Sequence, residues 1–421
     1  MFDQISQSLV ETFFLGKLEV GRLNVAMPDG STRSWGDLTS DFVVEMKIND
    51  AAAFTRMVKK DSVGLADAYM DRQWETEDLA RFVELIIENA KAQVKLGLPG
   101  QSVIVRLQGL LRRVRHNEAK RSEKNAKAHY DIGNAMYELM LDSEVMGYTC
   151  GLYRDPRALM FDQFDGSARE LSTEQAQLNK YRLLARKAGV KPGDSVVELG
   201  CGWGGFAILL AREFGCTVKA YNLSHEQLVY ARAKAHNLPI EFIEADYRTA
   251  QGTYDAVVSV GMAEHVGDHH LPEFLQTVER LLKPGATAVV HTITSADKGY
   301  DLYKLRTGFI QEYIFPGCCI PAVKAIIGAM GDHTHLELQH FENLGKHYAL
   351  TLRDWRKKFY SNIEAVRELG YDERFIRMWD FYLCNCEAEF TTGHLGLGQF
   401  VFRRPSAEPL TGGWLERHGN L

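Results

Sequence analysis

The chain has 421 residues, 45% of them apolar, and a formal net charge of −6. That is enough to bury a large core in two or three domains, and the charge is too even to name a partner. No stretch approaches the roughly 18 uninterrupted apolar residues of a membrane span, and the opening Met1-Phe-Asp-Gln-Ile-Ser-Gln-Ser lacks the basic start and apolar run of a signal peptide; the expected location is cytoplasmic. Seven cysteines, including adjacent Cys318-Cys319 and a Cys384-x-Cys386 pair, match neither a disulfide framework nor the C-x-x-C spacing of a zinc site, so reduced thiols and no metal are expected.

The first segment opens with helical spacing in Ile5, Leu9 and Phe13, then turns to strand-like alternation in Leu18, Val20, Leu23 and Val25 with a bulge at Gly21. Met27-Pro-Asp-Gly30 is a turn, with proline where φ is preset and glycine where φ must be positive. Phe42 to Ile48 reads as a strand, Ala51 to Lys59 as a helix, and Ala80 to Ala90 as a helix whose apolar face carries Phe82, Val83, Leu85, Ile86 and Ile87. Residues 1–96 therefore form a small α+β domain without a catalytic constellation. Gly97-Leu-Pro-Gly100 breaks the pattern, and residues 97–127 follow as a basic linker helix. There Leu107, Leu110, Leu111 and Val114 recur at helical spacing, while Arg106, Arg112, Arg113, Arg115, Lys120, Arg121, Lys124 and Lys127 face only Glu118 and Glu123. Such a segment suits an anionic bilayer, where each cation contributes about 1 kcal/mol. It suits nucleic acid less, because no aromatic residue interleaves with the charges to stack on bases. A solvated linker helix is the alternative.

Residues 128–421 have a different rhythm. A long helix from Leu171 to Ala188 precedes a strand from Ser195 to Leu199, the cluster Gly200-Cys-Gly-Trp-Gly-Gly205 and a helix from Ala207. Strands then recur at Thr217 to Tyr221, Ile240 to Asp246, Tyr254 to Val260 and Thr287 to Ile293, with helices at Ser224 to His236 and Pro272 to Leu282. Repeated strand-helix-strand units demand a parallel sheet with helices on both faces, and ligands of such sheets bind beyond the carboxyl ends of the strands. Glu198 with the glycines, Asn222-Leu-Ser224, Asp246-Tyr247, Gly261-Met-Ala-Glu-His265 and His291-Thr-Ile293 stand at those ends. Gly200, Gly202 and Gly204 let a ligand lie against the backbone. Their G-x-G-x-G form differs from the dinucleotide pattern and lacks the Lys-Ser/Thr of a phosphate loop. Glu198 can take the ammonium of a methionine moiety and Asp246 an adenine amino group, roles that fit a nucleoside carrying an amino acid. Glu264 and His291 are left over, and in the same cleft they can work as acid and base or hold a small oxyanion. Lys298 to Met330, with Phe309, Tyr313 and Phe315, is expected within a helical lid over about 296–335 that covers a ligand tunnel, an extra core layer being the alternative. Leu336 to Phe341 and Gln399 to Phe402 complete the sheet, the last strand antiparallel.

The turn after Glu198 resembles the first motif of the S-adenosylmethionine-dependent methyltransferases. From about Gly64 onward the chain resembles the cyclopropane-fatty-acyl-phospholipid synthase family, relatives of the mycolic acid cyclopropane synthases. The likeness rests on Ala68-Tyr-Met-Asp71, His129-Tyr-Asp-Ile-Gly-Asn134, Tyr148-Thr-Cys150, Glu198-Leu-Gly-Cys-Gly-Trp-Gly-Gly205, Leu223-Ser-His-Glu-Gln227, Asp246-Tyr-Arg248, Val260-Gly-Met-Ala-Glu-His-Val-Gly267, His291-Thr-Ile293, Tyr313-Ile-Phe-Pro-Gly317 and Glu342-Asn-Leu-Gly-Lys-His-Tyr348. It implies an α/β class I S-adenosylmethionine-dependent methyltransferase fold: a Rossmann-like, mostly parallel seven-stranded sheet with a helical lid and the small N-terminal α+β domain as a lipid-binding unit. It also implies methyl transfer from S-adenosylmethionine to the cis double bond of a phospholipid unsaturated acyl chain, giving a cyclopropane ring with bicarbonate as the base. The bicarbonate pocket maps onto Cys150, Glu264, His291, the Ile293 main chain and Tyr348. Cofactor contacts carried over are Tyr130, Glu198, Gly200, Gly202, Gly204, Asn222, Leu223, Gln227, Asp246 and Tyr247. Cys386 falls where the family has a cysteine proposed as nucleophile; with no base near it in sequence, a buried helical thiol is the other reading.

The resemblance further implies a homodimer, and the basic linker adds the expectation of peripheral contact with the inner face of the membrane. Ala263, Gly147 and Gly398 depart from the family's Phe, a bulkier polar residue and Trp. The first two are expected beside the pocket, where a changed shape would open the way to a methyl-branched or methylene product. A lipid-surface protein without catalysis is countered by the intact strand ends, and a small-molecule methyltransferase by the basic linker and aromatic lid.

Overall fold

Alternating burial of Leu23 and Val25, and of Val44, Met46 and Ile48, gives one face of a small sheet to a core. The computed structural model describes residues 2–95, 133–153, 171–305 and 307–406; Tyr130 and the basic linker lie outside the described residues. The small sheet consists of β1 (Arg22–Ala26), β2 (Thr32–Gly36), β3 (Val43–Ile48) and β4 (Trp74–Glu75) in the order β2-β1-β3-β4. The sequence reading lacks β2, because none of its residues is buried and the alternation that marks a strand is missing. The helix expected to stop at Lys59 continues as Ala52–Met70 through a break at Asp61, whose φ is 52° and ψ −129°. At Gly64 a Cβ would stand 2.0 Å from the Arg56 carbonyl oxygen, so only glycine lets the two helical pieces meet.

This unit docks on the helix Glu373–Thr391. The Tyr69 hydroxyl donates to Asp380 Oδ2 at 2.8 Å, and Arg377 donates to the Tyr69 carbonyl at 2.6 Å with its guanidinium 3.9 Å over the Tyr69 ring.

The large sheet contains β5 (Ser195–Leu199), β6 (Thr217–Asn222), β7 (Ile240–Glu244), β8 (Tyr254–Val260), β9 (Leu282–Ser295), β10 (Glu337–Asn343) and β11 (Leu395–Arg403), in the order β10-β11-β9-β8-β5-β6-β7. Strands β5 to β9 pair in parallel, and β11 runs antiparallel to both its neighbours, as expected. Val196-Val197, Ala256-Val257-Val258 and Ala288-Val289-Val290 are buried on both faces, which is why they read as continuous apolar runs. The helix Thr173–Ala188 starts in a capping box between Ser172 and Gln175 and ends on Gly189 with a φ of 68°.

Of the expected lid, the stretch from Ile310 to Ile320 reaches the cavity described below. The helix Val323–His333 instead turns Ile326 into the apolar cluster of Phe274 and Val278 on the far side of the sheet. Among the described residues no helix is long and apolar enough to cross a membrane.

Candidate active site

After β5 the chain turns through Gly200, Gly202 and Gly204, with φ of 83°, 52° and 80°, into the helix Gly205–Phe214. A Cβ at Gly202 would meet nothing within 4 Å, whereas at Gly204 it would stand 2.8 Å from the Ala231 Cβ and 2.9 Å from the Phe242 ring. Gly204 therefore serves helix–sheet packing. Gly204→Ala is expected to lower stability by about 2 kcal/mol from overpacking and backbone strain together. Urea unfolding measures this, and an unchanged midpoint would mean that Ala231 and Phe242 give way.

Gly200 and Gly202 edge a cavity of about 250 Å³. Its polar end gathers Glu198, Asn222, Leu223, Gln227, Asp246 and Tyr247 from the carboxyl ends of β5, β6 and β7. Glu198 Oε2, Gln227 Nε2 and the Tyr247 hydroxyl oxygen are buried there without a hydrogen-bond partner. Each such atom costs about 1–3 kcal/mol, so three on one cavity wall mark a place built for a polar ligand. Burial pushes the Glu198 carboxyl up to about 8, against the pull of the Ala207 N–H and Lys180. Asn222 Nδ2 donates to the Gly202 carbonyl at 3.3 Å and to Gln227 Oε1 at 2.8 Å, which leaves the Gln227 amino group for the ligand. Arg248 grips Asp246 at 2.8 and 2.6 Å. Burial raises the Asp246 carboxyl, but the Arg248 contacts win and hold it below its ordinary value.

The other end is apolar and aromatic, walled by Tyr148, Ile310, Phe315, Tyr382 and Phe390. The Tyr148 and Tyr382 hydroxyls meet at 2.9 Å. Thr149, Glu264, Ile293 and Tyr348 also line the cavity. Glu264 accepts the Thr292 hydroxyl at 2.5 Å and the Ile293 N–H at 3.5 Å. Burial pushes its carboxyl up against these contacts. The loop carrying Tyr148 and Thr149 is tied by buried Asp142, which accepts the Val145 and Gly147 N–H groups at 2.7 and 2.8 Å. Within that tie Met146 takes a φ of 50°, a conformation that costs about 1–3 kcal/mol and clusters at functional sites.

The expected cofactor residues Glu198, Gly200, Gly202, Asn222, Leu223, Gln227, Asp246 and Tyr247 line this cavity, and Gly204 does not. Of the expected oxyanion set, Glu264, Ile293 and Tyr348 line it. His291 stands behind Thr149, its Nε2 3.1 Å from the Thr149 hydroxyl. The Cys150 thiol donates to the Gly151 carbonyl at 3.1 Å, and burial pushes it up. Cys386 borders the cavity, but burial, and then the charges of Glu389 and Cys318, push its thiol well above the ordinary value. That makes it a poor nucleophile, since the thiolate is the reactive form.

Two expectations are corrected: neither Gly147 nor Ala263 is part of the cavity wall. A Cβ on Gly147 would meet Gln177 Oε1 at 2.5 Å, and Ala263 packs with Phe274 and Val278. Gly398 is also a packing position, where a Cβ would come within 2.5 Å of the Phe400 ring. Sequence reasoning missed Thr149 as a wall residue, Met262, whose side chain lies 3.0 Å from a Cβ placed on Gly200, and the buried Gln177 and Lys180 behind them. The signal for the last pair was a polar couple three residues apart on an otherwise buried helix face.

A seven-stranded sheet of this order, with a glycine turn after its acidic first strand and unpartnered polar atoms at the carboxyl ends of adjacent strands, defines a class I S-adenosylmethionine-dependent methyltransferase. The family described as mycolic acid cyclopropane synthetase matches residues 117–400, and the chain belongs to it. Residues 11–96 match a domain of unknown function. The chain is 31% identical over 361 residues to the cyclopropane-fatty-acyl-phospholipid synthase of Escherichia coli K12, covering 86% of this chain and 88% of that one. It is 32% identical over 356 residues to the tuberculostearic acid methyltransferase UfaA1 of Mycobacterium tuberculosis, covering 83% and 80%. The fold is similar to that of mycolic acid cyclopropane synthase CmaA1 complexed with SAH and CTAB, with a TM-score of 0.59 and 24% identity over 67% of this chain and 98% of that one.

Proposed function

We propose that the chain transfers the methyl carbon of S-adenosylmethionine to the cis double bond of an unsaturated acyl chain in a phospholipid and closes a cyclopropane ring, with bicarbonate as the base. The observation that carries this reading is one cavity joining the unpartnered atoms of Glu198, Gln227 and Tyr247 to an aromatic, apolar end. S-adenosylmethionine supplies an electrophilic methyl when bound. Glu198 holds the ligand's ammonium end, and Asp246 with Tyr247 holds its adenine end. An alkene is a weak nucleophile, and the positive charge that develops on it must be kept from water. Tyr148, Phe315, Tyr382 and Phe390 exclude water and offer ring faces to a cation.

Bicarbonate supplies a base for the proton lost on ring closure. The wall residues fit a small oxyanion: Thr149 and Tyr348 bring hydroxyl groups, and Glu264, raised by burial, can hold a proton on its carboxyl and donate it. The exposed Phe2, Ile5, Leu9 and Phe13 of the helix Phe2–Phe13 support peripheral contact with the inner face of a membrane. A homodimer belongs to the same reading. Similar identity to UfaA1 keeps a methyl-branched or methylene product as the competing outcome, although Gly147 and Ala263 no longer argue for it.

The test is mass spectrometry of fatty acids after incubation with S-adenosylmethionine and vesicles of cis-monounsaturated phospholipid. A gain of one CH₂ that resists hydrogenation is expected. A gain that takes up hydrogen would establish the branched alkene, and no gain with bicarbonate present would overturn the acyl acceptor.

A further inference from the structure

The helix Thr173–Ala188 carries a polar stripe into the core. Gln177, Lys180 and Lys187 are exposed by 1% or less, and their spacing puts them on one helix face. Two buried lysines cost several kcal/mol unless each finds partners, yet none of the three touches the cavity. Lys187 is paired with Glu342, and its Nζ donates to Gln399 Oε1 at 2.6 Å. An ammonium offers only protons, so the carbonyl end of Gln399 is fixed toward Lys187 and its amino end toward His291 Nδ1, 3.2 Å away. Strand pairing supports this contact by setting Gln399 directly opposite His291.

With Nδ1 accepting, neutral His291 carries its proton on Nε2 and donates it to the Thr149 hydroxyl oxygen at 3.1 Å. Burial, with the charges of Lys180 and Lys187, keeps the imidazole neutral. A second chain arrives from the other side: Lys180 Nζ donates to Gln177 Oε1 at 2.7 Å, which leaves Gln177 Nε2 to donate to the Thr149 carbonyl at 2.6 Å. Both chains therefore end on Thr149, one clamping its main chain and the other supplying a proton to its hydroxyl oxygen. The Thr149 hydroxyl then has only its own hydrogen left to give, and Thr149 stands on the cavity wall. With the opposite tautomer, Nε2 would take that hydrogen instead.

We propose that Thr149 is a further ligand-binding residue of this site, its hydroxyl donating to an oxyanion in the cavity, and that Lys187 and Gln399 are positioning residues that set this direction through the His291 tautomer. The identity of the oxyanion as bicarbonate rests on the function proposed above; the tautomer does not.

Gln399→Glu is the discriminating variant. A carboxylate keeps Lys187 paired but can only accept, so His291 must place its proton on Nδ1 and draw the Thr149 hydrogen onto Nε2. Nitrogen-15 spectra of the histidine-labelled full chain, with the His291 signal assigned by its loss in His291→Asn, are expected to show Nε2–H in the wild type and Nδ1–H in Gln399→Glu. The bicarbonate concentration for half-maximal turnover should rise about 10- to 100-fold in Gln399→Glu and in Thr149→Val. The double variant should be no worse than either single one, Thr149→Ser should recover most of the loss, and S-adenosylmethionine affinity by calorimetry should not move. A wild-type proton on Nδ1, or a Thr149→Val response to bicarbonate equal to the wild type's, would overturn the proposal. If Gln399→Glu does not fold, the wild-type spectrum and the two Thr149 variants still decide it. A wild type that neither alkylates acyl chains nor responds to bicarbonate would sink the proposed function and the named oxyanion, while the tautomer spectrum would still decide the positioning role.

Discussion

Glu264→Gln is expected to lower turnover by about 100- to 1,000-fold and to leave S-adenosylmethionine affinity unmoved. The side chain faces the cavity, but its oxygens are already engaged by the Thr292 hydroxyl and the Ile293 N–H. Glutamine has nearly the same shape, its amide oxygen can still accept the Ile293 N–H and its amino group can donate to the Thr292 hydroxyl oxygen, so the fold should survive. What it lacks is an acid O–H. Burial raises the Glu264 carboxyl, so its protonated form persists to higher pH than that of a free glutamate. Wild-type turnover that uses this proton is therefore lost as pH rises through the raised value, and the variant should have no such limb. Glu198, Gln227 and Tyr247, the residues proposed to hold the cofactor, hang from other elements and do not bond to Glu264. Single-turnover assays across pH, paired with calorimetry of S-adenosylmethionine binding, measure both effects. A parallel loss of cofactor affinity would move Glu264 to the cofactor end and remove it from the chemistry.

The polar end of the cavity was legible in the sequence because it needs little more than chain order. Buried parallel strands read as apolar runs, and the residues that follow them must converge at one edge of the sheet. Glu198, Asn222, Asp246 and Glu264 were found that way. Depth was not legible. Whether His291 or Thr149 meets the ligand depends on a loop shaped by two N–H bonds to Asp142 and by the positive φ of Met146, and no spacing pattern encodes either. Gly147 failed for a related reason: its missing side chain makes room for Gln177 on another element, which looks from sequence like a vacancy beside the pocket. The stripe of Gln177, Lys180 and Lys187 broke the rule that charged residues face water, and it could be understood only once Gln399 and Glu342 appeared beside it.

S-adenosylmethionine is expected to bind the wild type about tenfold more tightly for each unit of pH between 6 and 7, and less steeply from 7 to 7.5, and Glu198→Gln is expected to flatten that dependence. In the proposed role Glu198 holds an ammonium and must be ionised to do so, yet burial pushes its carboxyl up to about 8. At pH 6 roughly one molecule in a hundred then carries the charge, and binding must release a proton. From about pH 7 upward two effects work the other way. Burial pushes Lys180 down to about 7, so the favourable charge near Glu198 already fades in the upper part of the range, and the ligand's own amino group deprotonates near 8. The affinity should therefore level off or turn over. The same shift has a stability consequence of opposite sign. A carboxyl raised from its ordinary 4.5 to about 8 binds its proton more tightly in the folded chain than in the unfolded one, so between those values stability of the ligand-free protein falls as pH rises. At pH 8 the ligand-free Glu198→Gln variant should thus be more stable than the wild type, by about 1–3 kcal/mol, while gaining less from added S-adenosylmethionine. Calorimetry in buffers of different ionisation enthalpy counts the released proton, and thermal unfolding across pH reads the stability. A wild-type affinity that is flat from pH 6 to 7.5 would mean that Glu198 is already ionised in the empty cavity, and the unpartnered Oε2 would then need a cation of the protein's own to explain it.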